Sequence, residues 1–459
     1  MLCDGLRRRH SSRSVIWDVD ARIALSDLAF GTSLERDPAE LHGKSLLILT
    51  GDQLTTALAL VELNGVARRL VLCPPDVQPA QVAVLIADAQ AEAIVVSARS
   101  PYADGALGLP TIRCGLPLAP RANATTGSMD TEWALLTSGT TGPPKMVAHR
   151  FDALCAAIDL GPAPVPAPIW STFYDIRRYG GLQIFLRAII TGGSLVLSRA
   201  GEGASDFLTR IAERGVTHIS GTPSHWRRAL MSAACANFHP QYVRLSGEIA
   251  DQPILDALSI QFPQASIGHA YASTEAGVAF EVRDGKAGFP AHLVQQSGGD
   301  VELEIVDGRL RIRSARTADR YLGRGAAELK DDRGFVRTSD LVERRQDRFF
   351  FVGRGDGVVN VGGLKVHPEE VEDVINRHGE VRMSLVKGRR NPITGEIVVA
   401  DVVLRRNPVE AQHDRDAELR DEIIEMCRES LEAHKVPAMI RFVDALDLSA
   451  SGKLARRHA

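Results

Sequence analysis

The sequence predicts an α/β protein with a large N-terminal domain of parallel and mixed sheets, helices and an antiparallel subdomain, followed by a small α+β C-terminal domain. Short apolar runs alternate with helical stripes of about ten residues from residue 45 onward. After residue 300 the texture becomes in-and-out alternation, and GRGDG at 353–357 then breaks the chain, with roughly 100 residues beyond it. A length of 459 residues exceeds one core, so the expected division is 1–355 and 356–459.

SLLILT (45–50) reads as a strand, residues 54–64 as a helix, 69–73 as a strand, 81–89 as a helix and 93–96 as a strand. This is the rhythm of βαβ units on a parallel sheet. It returns with strands at 133–137, 194–198, 217–220, 242–246 and 266–271, and helices at 182–190, 205–214, 223–234 and 253–261. VELEIV-DG-RLRIRS (301–314) alternates around Asp307-Gly308, the dipeptide of a tight hairpin. The last segment carries helices at 368–376 and 417–433 and strands at 383–386, 397–404 and 441–443. The run GPAPVPAP (161–168) reads as a stiff connection.

Composition bounds the function. Hydrophobic residues make up 44% and charged ones 24%, an ordinary globular profile. A net charge of −3 gives no general attraction to nucleic acid or an anionic membrane, and no apolar run is long enough to span a bilayer. The six cysteines are scattered without a C-x-x-C pair, so neither structural zinc nor a disulfide framework is expected. The Arg- and Ser-rich start (1–14) lacks an apolar core for secretion and reads as a frayed tail, making the expected compartment cytoplasmic.

TSGTTGPPK (137–145) follows a strand and offers hydroxyls, unencumbered backbone N–H groups and a terminal lysine, a combination able to wrap a polyphosphate. A Walker loop is excluded, because Gly139 and Gly142 are too close together and Met146 follows Lys145. Downstream stand YASTEAG (271–277), RTSDL (337–341), GRGDGVVNVGGLKVHPEE (353–370) and SASGKLARR (449–457).

In this order and spacing, from about residue 45 to the C-terminus, the blocks resemble the adenylate-forming superfamily of acyl-CoA synthetases, adenylation domains and luciferases. The resemblance implies ATP-dependent activation of a small carboxylic acid to an acyl-adenylate, then thioester formation. It assigns the β- and γ-phosphates to Thr137, Ser138, Gly139, Thr140, Thr141, Gly142 and Lys145. Tyr271 would flank the adenine with Ala272 beside it, where the family mostly has glycine, and Gly247 and Glu248 would border the base. Thr274 would meet the α-phosphate, while Glu275, with Thr140, would hold Mg²⁺. Asp340 would accept from the ribose hydroxyls, and Arg354 would contact ribose or α-phosphate. Lys453 would stabilise charge on the carboxylate and α-phosphate. Asp356 matches the hinge about which a mobile small domain turns, and Gly362, Gly363 and Lys365 would border the thiol path of coenzyme A or a carrier protein's phosphopantetheine.

Three readings follow from this: a ligase using coenzyme A, a stand-alone adenylation enzyme loading an acyl carrier protein, and a catalytically silent nucleotide-binding scaffold. Retention of Lys145, Glu275, Asp340 and Lys453 argues against the last. For the acid itself the candidates are Tyr174, Asp175, Arg177 and Arg178 in TFYDIRRYGGLQIFL (172–186), with His225 of PSHW. An arginine there would pair with a second acidic group on the substrate, or Asp175 with an amino group; solvated loop charges are the plain alternative. About 130 residues precede the phosphate loop, fewer than the family's usual number, so the N-terminal subdomain is expected to be trimmed.

Overall fold

The computed structural model describes Leu2 and residues 14–98, 100, 102, 105, 107–120, 129–137, 144–161, 165–295, 298–355, 357–391, 395–405, 413–449 and 453–454. Two eight-stranded sheets form the bulk of the protein. One has at its centre the buried strands Ser45–Ile48, Arg69–Leu72, Ala93–Val96 and Glu132–Leu136, paired in parallel as their uninterrupted apolar runs require. The other sets Ile169–Thr172, His218–Gly221, Tyr242–Ser246 and Ser266–Ser273 side by side in parallel. Helices Gln53–Leu63 and Tyr179–Ile190 contribute to one core that joins the two sheets.

The antiparallel subdomain is a five-stranded sheet containing the hairpin Val301–Val306/Arg309–Ser314. Asp307 and Gly308 both have positive φ, which a two-residue turn matching the strand twist requires. The C-terminal sheet is built from Val359–Val361, Leu364–Val366, Val381–Asn391 and Gly395–Leu404, with Met439–Phe442 parallel on Gly395–Leu404. Helices Pro368–Ile375 and His413–Ser430 pack on it around a separate core.

Several elements depart from the sequence reading. The helix expected over 223–234 stops at Ala229, and a 3-10 turn, Ala233–Asn237, follows because the Ser232 side chain caps Ala234 N at 3.3 Å. The last long helix begins at His413 and ends at Ser430. Residues 1 and 3–13 lie outside the described residues, but Val15–Trp17 is a strand paired in parallel with Ser194–Val196, and Ser14 Oγ donates to Gly192 O at 2.8 Å.

A polar chain links the C-terminal part to the rest. Asp251 caps the helix Gln252–Gln261 through Ile254 N (3.1 Å) and pairs with Arg227 (2.5 Å). The same carboxylate accepts from Asn376 Nδ2 at 3.3 Å, and Asn376 Oδ1 in turn accepts from Ser384 Oγ at 3.0 Å.

Candidate active site

Four of the motifs noted in the sequence converge at the C-terminal ends of the strands Tyr242–Ser246 and Ser266–Ser273, where ligands of open α/β sheets gather. Tyr271 lies flat against Phe351 (5.1 Å between ring centroids) and Phe280 (5.7 Å), and its hydroxyl donates to Asp340. Burial, reinforced by that carboxylate, raises the phenol well above its ordinary range. Asp340 and Arg354 are cross-strand partners in adjacent antiparallel strands, so the pairing register alone puts an acid and a guanidinium side by side. Ala272 is half-buried and packs on the main core, and Thr274 follows in the turn after Ser266–Ser273.

Lys453 reaches this corner from the C-terminal segment. Its Cε lies 3.5 Å from where a Cβ on Gly247 would stand. Gly247 has φ +85°, a left-handed backbone that calls for glycine, while the 3.5 Å approach is an ordinary contact. Glu248 ties the two sides together, accepting from Ser224 N and from Leu454 N, each at 2.9 Å. Burial pushes the Lys453 ammonium below the ordinary lysine value, against the pull of Glu248, Asp340 and Glu275.

On the opposite side, Thr137 N donates to Lys145 O at 3.0 Å, closing the base of the phosphate loop. Lys145 Nζ sits 5.2 Å above the Tyr321 ring, and Tyr321 OH donates to Glu275 at 3.3 Å. Ser138, Gly139, Thr140, Thr141 and Gly142, together with Asp356, lie outside the described residues. Gly362 and Gly363 form an exposed turn with φ of 60° and 91°, where Gly363 N donates to Asn360 Oδ1 at 2.9 Å; Lys365 is exposed beside them.

The residues expected at the acid divide in two. Tyr174 is buried, and its hydroxyl donates to Ser246 O at 2.6 Å, next to Gly247. His225 stacks on Phe173 at 5.1 Å and closes a capping box with Thr222; burial brings its pKa down to about 4. Trp226, one residue on, is fully in the core. The charged residues pair within the chain. Arg177 grips Asp175 with two nitrogens (2.8 and 2.6 Å) and donates to Thr50 O at 2.6 Å, while Arg178 pairs with Asp76 at 2.5 Å. Asp175 and Arg177 thus neutralise each other within the chain, and Arg178 pairs with Asp76 while its buried Nε has no hydrogen-bond partner. Sequence reasoning passed over Arg244, a buried arginine on Tyr242–Ser246; its only sequence signal is a cation inside an otherwise strand-like run, YVRLS.

The sequence profile of the AMP-binding enzyme family matches residues 51–322, more than half of the chain, and that of the AMP-binding enzyme C-terminal domain matches residues 370–453. The chain belongs to the AMP-binding enzyme family. Among curated relatives, the 2-succinylbenzoate–CoA ligase of Geobacillus kaustophilus is 29% identical over 70% of this chain and 67% of its own length. The corresponding ligase of Bacillus subtilis is 27% identical over 70% and 67%. Among solved structures, an anthranilate CoA ligase in complex with anthranoyl-AMP superposes with a TM-score of 0.80 at 18% identity, covering 99% of this chain and 95% of that one. The o-succinylbenzoate CoA synthetase of Bacillus subtilis with its acyl-adenylate intermediate gives a TM-score of 0.72 at 20% identity over 100% and 99%. At these identities the structural likeness establishes the fold: mixed α/β sheets, a curled antiparallel sheet and a small C-terminal unit. No helix among the described residues is long and apolar enough to cross a membrane.

Proposed function

We propose that this chain is an ATP-dependent carboxylate–CoA ligase, divided at residues 355/356 into a large adenylating domain and a small domain that changes position between two half-reactions. The observation that carries the reading is the burial of Lys453 against Gly247, among Glu248, Asp340, Arg354 and Glu275. A lysine held near carboxylates only at longer range is stabilised when an anion arrives there.

A carboxylate oxygen attacks the α-phosphorus of ATP, the bond to the β-phosphate oxygen breaks, and pyrophosphate departs with the electron pair. Negative charge concentrates on the five-coordinate phosphorus, where Lys453 and Arg354 supply compensating charge and Thr274 a hydroxyl donor. Asp340, held by Tyr271, accepts from the ribose, and the loop based on Thr137 and Lys145 takes the β- and γ-phosphates. Glu275 offers the single hard carboxylate that suits Mg²⁺, an ion that keeps waters and phosphate oxygens as its other ligands; Thr140 would stand with it. The bound ion would neutralise phosphate charge. A thiol sulfur then attacks the acyl carbon, the bond to the phosphate oxygen breaks, AMP leaves, and the thiol proton passes to solvent. Asp356 serves as hinge, and Gly362, Gly363 and Lys365 border the thiol's approach in this scheme.

The relatives are named for 2-succinylbenzoate and anthranilate, so aryl acids head the substrate panel. The test is pyrophosphate release from ATP and Mg²⁺ across aryl, aliphatic, dicarboxylic and amino acids, with and without coenzyme A. Acid-dependent pyrophosphate plus a CoA thioester is the expected result. Pyrophosphate without any CoA thioester transfers the second step to a carrier protein, and no AMP with any acid overturns the proposal.

A further inference from the structure

Where the C-terminal part meets the rest, three arginines gather, and the strand register explains how. Val381 pairs with Leu404 and Met383 with Val403, which leaves Arg382 as the extra residue of a β-bulge. A bulge takes a side chain out of the strand's alternation and re-aims it. Arg405 stands one residue beyond the paired strand end, its N–H donating to Glu380 O at 2.9 Å, so both guanidinium groups leave the sheet at the same corner. Arg227 comes from the other side, on the helix Pro223–Ala229. The three arginines line one cavity of about 140 Å³, together with Ile254 and Asn376. A single water needs about 10–15 Å³, so there is room for a small polyatomic ion.

The charge around this cavity is not balanced. Arg227 has the Asp251 carboxylate at 2.5 Å. The other two arginines have only carbonyl oxygens. Arg382 Nη2 donates to Arg405 O at 3.3 Å and Arg405 Nε to Val381 O at 3.0 Å, and no carboxylate among the described residues pairs with either. Burial, and then the neighbouring Arg405, lower the pKa of Arg382, the mark of two like charges held close. Three cations and one carboxylate leave two positive charges around the cavity. A phosphate group carries about −1.5 to −2 charge near neutral pH, and its oxygens match the forked donors of a guanidinium.

Arg227 and the Arg382–Arg405 pair reach this cavity from opposite sides of the junction that Asp251 and Asn376 fasten. A turn of the small domain about residue 356 would part them. A ligand shifts an equilibrium between two arrangements by its difference in affinity for them. Resting on the ligase reading above, we propose that this cavity is a phosphate site, gripped by Arg382 and Arg405 from the small domain and Arg227 from the large one. A phosphate group bound there holds the enzyme in the arrangement that keeps Lys453 at the reacting corner, and so slows the thioester-forming step.

The experiment titrates the full chain with inorganic phosphate, and separately with glycerol 3-phosphate, against chloride at equal ionic strength. Calorimetry and melting temperature should show saturable binding in wild type, weakened about 10-fold or more in Arg382→Gln and in Arg405→Gln, the latter at an exposed position. Without phosphate, both variants should melt and exchange pyrophosphate as wild type does. Tighter binding of glycerol 3-phosphate would make the ligand a phosphate ester, and tighter binding of inorganic phosphate the free ion. Saturating phosphate should slow thioester formation from supplied acyl-adenylate about 5-fold or more in wild type, spare ATP–pyrophosphate exchange, and leave both variants unaffected. No saturable binding overturns the site, as does a shift that chloride reproduces. Binding that survives both substitutions belongs elsewhere, the loop at 137–145 first, and overturns it too. Equal slowing of both half-reactions overturns the hold on the adenylating arrangement. Binding is read without turnover, so if AMP forms with no acid, the ligase reading falls while the phosphate site is still decided by these titrations.

Discussion

Arg177 and Arg244 are both almost wholly buried, at 2% and 3% exposure. Their surroundings are opposite. Arg177 is saturated by the Asp175 carboxylate and the Thr50 carbonyl, whereas Arg244 keeps two nitrogens without a hydrogen bond. Lys453 belongs with Arg244, since burial lowers its pKa and Glu248, Asp340 and Glu275 act on it only at longer range. Burial alone therefore does not separate structural cations from working ones. What separates them is how the countercharge is held: Asp175 is hydrogen-bonded to Arg177, whereas Glu281 stands 3.7 Å from Arg244 Nε and carboxylates act on Lys453 only at longer range.

The largest effect should come from removing the cation at the reaction itself. Lys453→Ala should slow acid-dependent pyrophosphate exchange by about 10²–10³-fold, the scale of one lost transition-state donor. Its melting temperature should not fall, and thioester formation from supplied acyl-adenylate should be nearly unchanged. Equal loss in both half-reactions would place Lys453 with the structural cations.

Arg177→Ala should do the reverse. Asp175 would be left as a buried carboxylate without its partner, at a cost of about 3–5 kcal/mol. Urea unfolding should show this as a lower midpoint, and a loss below about 1 kcal/mol would break the distinction drawn between the two arginines.

A smaller effect sharpens it. The charge on Lys453 is needed in its protonated form, and burial lowers its pKa, so exchange activity should decline as pH rises while still below 10.5, the ordinary lysine value. Arginine stays protonated throughout, so Lys453→Arg should flatten that alkaline limb in a pH profile of kcat, whatever it does to the rate.

The motifs that meet at the candidate site were legible in the sequence, because each is local. YASTEAG, RTSDL and SGK each place their residues locally, but only YASTEAG ends a strand of the parallel sheet; RTSDL lies in the antiparallel sheet and Lys453 in the C-terminal segment. The strand row that holds Arg244 was not legible. Thr172, Ser220, Arg244 and Gly268 sit on four separate strands and become neighbours only through register, which no short window contains. The charges at 175–178 drew attention because they are adjacent in sequence, and adjacency is what lets Arg177 close on Asp175. The strand Val15–Trp17 is three residues long, too short to show a period.

The bridge from Asp251 to Asn376 bears on the proposed movement of the small domain. When Asn376 withdraws, Asp251 retains Arg227 and the Ile254 N–H, and Asn376 retains Ser384. Neither side is stranded with a bare charge, so undoing the contact forfeits a single neutral-to-ionic hydrogen bond. Under the proposed movement of the small domain, such a joint would act as a catch rather than a weld, fastened and released with little resistance in either direction.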